Sequence, residues 1–113
     1  FTVTGVLTNP VTSGFGPTPL DFTILDSVDF SDIITPTAPA INAFTGIYGK
    51  PAFNGLPDAL TVDTGTYKVM FLAFPFETLG TPTDRTNLMS SAITWFGGVP
   101  LLTHHFYLPI IRR

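Results

Sequence analysis

The chain has 113 residues, of which 12% are charged and 44% apolar, with 11 phenylalanines and a formal net charge of −3. That length allows one small domain, and its basic residues, Lys50, Lys68, Arg85, Arg112 and Arg113, form no stripe able to neutralise a run of phosphates, so a nucleic-acid interface is excluded. The absence of cysteine excludes disulfides, thiolate metal sites and a cysteine nucleophile together.

A surface so poor in charge suits a module that buries several faces against neighbours. The chain opens at Phe1 with neither an initiator methionine nor a basic leader, and is therefore expected to be a processed product or a segment of a longer precursor. Phe1 to Thr8 (FTVTGVLT) alternates in the period-two manner of a strand. Asn9 to Leu20 (NPVTSGFGPTPL) then crowds prolines and glycines together, which predicts a structured loop. Within it, Ser13-Gly14-Phe15-Gly16 has neither the Gly-x-Ser-x-Gly of a nucleophile elbow nor the Walker spacing, and reads as a turn.

Asp21 to Leu25 predicts a short strand, followed by a turn-rich stretch with aspartates at Asp26, Asp29 and Asp32 and prolines at Pro36 and Pro39. Asp26, Asp29 and Asp32, with Asp21, offer oxygen ligands of the kind calcium takes, but not at EF-hand spacing. Solvated turn aspartates are the preferred reading, with calcium secondary. Ala43 to Tyr48 and Ala59 to Val62 predict further strands, separated by turn signals at Gly49 to Pro51 and Asn54-Gly55. After the turn Asp63-Thr64-Gly65-Thr66, the run Tyr67 to Phe74 is apolar on both faces, as expected of a central strand. Its apolar continuation to Phe76 is far shorter than the roughly 18 residues of a membrane-spanning helix.

Thr81-Pro82-Thr83-Asp84 has the form of a capping box with proline at the first helical position, and predicts a helix from Thr83 to Phe96. Leu88, Met89, Ala92, Ile93, Trp95 and Phe96 would face the sheet, opposite Asn87, Ser90, Ser91 and Thr94, with Gly97-Gly98 ending the helix. The tail, Val99 to Arg113, is expected to be extended. Phe106, Tyr107, Leu108, Ile110 and Ile111 within it have no evident cover and are the candidate interaction residues. His104 and His105, as neighbours in an extended segment, point to opposite faces and do not chelate one ion. The aromatics Phe71, Phe74, Phe76, Trp95 and Phe96 are expected to pack in the core.

NPVTSGF at Asn9 to Phe15 and KVMFLAFPFE at Lys68 to Glu77 together resemble two stretches of class I glutamine amidotransferase-like domains, the loop "HPIT-x-GL" and the final strand "GVQFHPE". The ending formed by Phe74 to Glu77, Arg85, Leu88, Met89 and Trp95 is similar to a non-catalytic variant found in secreted bacterial proteins, and the HHFYLPIIRR tail resembles the ends of such extracellular chains. The resemblance covers Phe1 to Gly97. It implies an α/β fold: an incomplete flavodoxin-like sheet, strand-rich with an antiparallel extension and one C-terminal helix, followed by an extended tail. The domain would occupy residues 1–98 and the tail 99–113, with the first strands and the nucleophile elbow upstream of Phe1.

Active members of that family end the strand in His-Pro-Glu. Aligned on Pro75, this chain has Phe74 for the histidine and Phe76 for the glutamate, and neither can accept a proton. Glu77, the only glutamate in the chain, is displaced by one residue, which in a strand turns it to the opposite face. The sequence therefore leads to a non-catalytic accessory or structural module of a secreted protein, with no cofactor, docking on the remainder of its precursor or on sister subunits. The alternatives are a subunit of an extracellular filament or surface layer, and a hydrolase half-domain whose nucleophile is supplied upstream.

Overall fold

The computed structural model describes residues 1–22 and 31–98. Among them, five strands form one antiparallel sheet: β1 (Thr2–Gly5), β2 (Leu20–Asp21), β3 (Ala40–Ile47), β4 (Pro57–Asp63) and β5 (Lys68–Leu72), in the spatial order β2-β1-β3-β4-β5. The sheet curls into a half-barrel, and one helix, α1 (Pro82–Trp95), follows it, giving a mixed α/β architecture.

Every ladder in this sheet is antiparallel, and in the successive pairs β3–β4 and β4–β5 the short connections allow no other pairing. The β4–β5 connection shows how the sequence writes such a turn. Gly65 adopts a φ of 83°, a conformation that side chains rarely tolerate, and its N–H donates to Asp63 Oδ1 at 2.9 Å.

One face of the sheet holds the core. Phe44 of β3 lies at its centre, with the Phe74 ring edge-on at 5.8 Å and the Phe15 ring tilted at 6.1 Å. Val3, Val11, Ala43, Ala59, Leu79, Leu88 and Ala92 complete the cluster. The helix begins as its sequence predicts. Asp84 N–H donates to Thr81 Oγ1 at 3.2 Å while the Thr81 N–H donates to Asp84 Oδ2 at 2.8 Å, so two otherwise unsatisfied donors are paired reciprocally. At the other end Lys68 Nζ donates to Trp95 O at 2.8 Å and lies 5.2 Å from the Trp95 ring, placing a cation at the negative end of the helix dipole.

The structure corrects several expectations. The first strand ends at Gly5 rather than Thr8, because the Asn9 N–H turns back to Val6 O at 2.9 Å. The strand expected to be central, β5, ends the sheet among the described residues, so the double-sided apolar run does not mark a strand flanked on both sides. Phe71 is 50% and Phe96 48% exposed, so neither packs in the core, and Met89 is exposed as well. The helix buries only Leu88 and Ala92, with Trp95 beside them, a stripe narrower than its apolar sequence suggested.

Candidate functional site

The NPVTSGF loop is built around one buried side chain. Asn9 Oδ1 accepts from the N–H of Val11 at 2.9 Å and of Thr12 at 3.3 Å, and its Nδ2 donates to Asn42 O at 3.0 Å and Thr61 Oγ1 at 2.7 Å. One amide thus satisfies the loop on one side and two strands on the other. Thr12, also buried, donates its hydroxyl to Ala43 O at 2.5 Å, at the point where β3 shifts register against β4. The loop lies directly on β1, since a Cβ at Gly5 would stand 2.2 Å from Thr12 O. These polar groups are enclosed and mutually satisfied, which makes them a structural clamp rather than a reactive centre.

Glu77 belongs to a 3-10 turn, Phe76–Thr78, after the last strand, and its side chain is exposed. Phe74 is buried in the core and Phe76 packs against it. The segment Ser13–Phe15 also forms a 3-10 turn, as the sequence reading of a plain turn requires. It borders an open cleft of about 340 Å³ whose polar lining includes Thr18, Asp84, Asn87 and Ser91. Asp84 is the one titratable group there, and it is committed to the helix cap: the N–H and hydroxyl of Thr81 hold its carboxyl below the usual carboxylate range.

Of the calcium candidates, Asp32 is held through its backbone, its N–H donating to Ala73 O at 2.8 Å, while Asp26 and Asp29 lie outside the described residues. Among the described residues, no group of three or more His, Asp and Glu side chains is placed to hold a metal. His104, His105 and the candidate interaction residues Phe106, Tyr107, Leu108, Ile110 and Ile111 also lie outside the described residues. No described helix is long and apolar enough to cross a membrane.

What the structure brings together is an apolar surface that the sequence did not single out. Tyr67, Val69 and Phe71 alternate with core-facing residues and stand 60%, 40% and 50% exposed on the face of the sheet away from the core. Leu60 and Val62, directly opposite Phe71 and Val69, widen this stripe across β4. On the same face at the other side of the sheet stand Thr2, Thr4 and Thr45, with the exposed Ile47 opposite Thr2, so the continuous apolar stripe of β4 and β5 gives way to a mostly threonine surface on β1 and β3. The available signal was the 67, 69, 71 alternation, which was read as one side of a doubly buried strand. No protein-family model, curated protein or solved structure matches the chain.

Proposed function

We propose that this chain is a non-catalytic interaction module of a secreted bacterial protein, formed on the second half of an amidotransferase-like, flavodoxin-related domain. It docks through the outer face of β4 and β5 on another segment of its precursor or on a sister copy. The observation that carries the reading is the stripe Tyr67, Val69 and Phe71 with Leu60 and Val62: large apolar side chains, contiguous and outside the core. Phenylalanines at positions 74 and 76, where the active family members carry proton-transferring residues, support a role without chemistry.

Sedimentation tests this. The chain is expected to associate, either with itself or with the remainder of its precursor. Val69→Lys combined with Phe71→Lys should abolish the association while leaving the melting temperature nearly unchanged, because both side chains are already partly solvated. Association that persists in the double variant would place the docking surface elsewhere. A roughly hundredfold loss of a parent activity in Glu77→Gln would instead restore the enzymatic reading.

A further inference from the structure

A groove runs between α1 and the loop that carries Asn9. It joins the cleft of about 340 Å³ beside Ser13–Phe15 to a second hollow of about 260 Å³ bordered by Pro10, Ser90, Thr94 and Trp95, and the two meet at Ser91. Asp84, Asn87, Ser91 and Thr94 succeed one another at steps of three and four residues. They therefore form a single stripe of the helix, next to the Leu88 and Ala92 stripe that is buried in the core. From Asp84 to Trp95 this stripe is about 16 Å long, at roughly 1.5 Å per residue.

Two features of the groove are not explained by folding. The first is unspent hydrogen-bonding capacity. Serine and threonine inside a helix can return their hydroxyls to the carbonyl four residues back, as Thr86 does to Pro82 O at 3.0 Å. Among the described residues, the hydroxyls of Thr18, Ser91 and Thr94 and the side-chain amide of Asn87 make neither that bond nor another. The second is Gly14, which lines the cleft. Its φ lies outside the left-handed region and a Cβ there would meet nothing within 4 Å, so neither the backbone nor the packing requires a glycine.

We propose that this groove binds a neutral oligosaccharide. Sugar hydroxyls both donate and accept, as the serine and threonine hydroxyls and the Asn87 amide do, and the C–H faces of sugar rings suit the apolar walls at Pro10, Phe15 and Trp95. Other ligand classes fit less well. No Lys or Arg lines the groove and Asp84 is its one charge, which disfavours phosphates and other anions. One carboxylate does not make a site for a divalent cation. Peptides are recognised through a strand edge or an apolar cleft, whereas these walls are a helix and a loop bearing polar side chains. The loop wall is fixed in advance by the Asn9 amide and by its seat on β1, so the groove needs no ordering when the ligand arrives.

The groove shares no residue with the outer face of β4 and β5, so this binding is independent of docking there. Trp95 is the only tryptophan, and its fluorescence reports on the groove directly. Titration of the 113-residue chain with maltotriose, cellotriose and chitotriose is expected to change that emission saturably for at least one of them, below about 10 mM. Gly14→Leu should abolish the response by filling the cleft, with Tm unchanged or slightly raised because the backbone there suits any residue. Asn87→Ala with Ser91→Ala should weaken binding about tenfold, and it keeps the helix intact because alanine favours one. No saturable response to any of the three sugars, a response that either variant leaves intact, or tighter binding of a sulfated trisaccharide or a glycine-serine pentapeptide would each overturn the proposal.

Discussion

Asn9 makes four hydrogen bonds from a site that is 1% exposed, and its loss would leave Thr61, the Asn42 carbonyl and two loop N–H groups short of partners. Asn9→Ala is therefore expected to destabilise the protein by about 3 kcal/mol, the order set by orphaned buried groups. Chemical denaturation checks this, and a value under about 1 kcal/mol would mean that water replaces the amide. The sequence announced a loop here through its prolines, but composition carries no sign that one loop asparagine is buried, because burial depends on strands that arrive some thirty to fifty residues later. Asp84 was legible as a cap residue, since the box is local. Its carboxyl titrates below the usual range in the folded state. The sign is that of a lowered acid: the stabilisation is full above the ordinary carboxylate range and disappears as the pH falls through the lowered value. Asp84→Asn should remove this acid-limb loss from the pH profile of helix stability, and an unaltered profile would show that the cap does not contribute.

At the scale of elements, α1 was the most legible part of the chain because both of its ends are written in local chemistry: the Thr81 box at the start and Gly97, at a φ of 97°, after the end. Its packing face was only partly legible. Leu88 and Ala92 follow the spacing and are buried, but Met89 and Phe96 fit a helical pattern almost as well and face solvent. A 14-residue helix laid on a curled sheet contacts it along a narrow line, and the residues flanking that line cannot be told from those on it by type alone. Leu88→Ala should accordingly cost about 2 to 5 kcal/mol, whereas Phe96→Ala should cost less than about 1 kcal/mol. Thermal melts of the two variants compare them directly, and equal losses would mean that Phe96 also lies in a packed site.

For the molecule as a whole, strand existence was legible and strand order was not. Pro57 to Asp63 and Ala40 to Ile47 were found as shorter segments, their cores recognised and their ends missed, since the ends are fixed by partners rather than propensity. The placement of β5 inverted the expectation of a central strand. Apolar residues on both faces signify cover on both faces only if the chain is a self-sufficient body, and here the second face is where a partner is proposed to sit. The threonines of β1 and β3, with Ile47 among them, against the continuous apolar stripe of β4 and β5 give the outer surface two halves of different character. That asymmetry is visible only when the ladders are known, because it combines residues from four separate segments.

The Asn9 clamp also bears on the order of assembly. Strands β3, β4 and β5 are successive antiparallel neighbours, each closed by a short connection, whereas Asn9 reaches Asn42 across 33 residues and Thr61 across 52. Closing such loops costs entropy before any bond is made, so the meander can form first and the amide can lock only onto strands already paired. Contacts made after the barrier retard escape from the native basin without speeding entry. In stopped-flow chevrons the Asn9→Ala deficit should therefore fall on the unfolding limb, and an equally slowed refolding limb would put the clamp inside the nucleus. On this account the NPVTSGF loop acts as a latch: a locally disfavoured, late-forming piece that governs how long the sheet stays closed rather than how fast it is found.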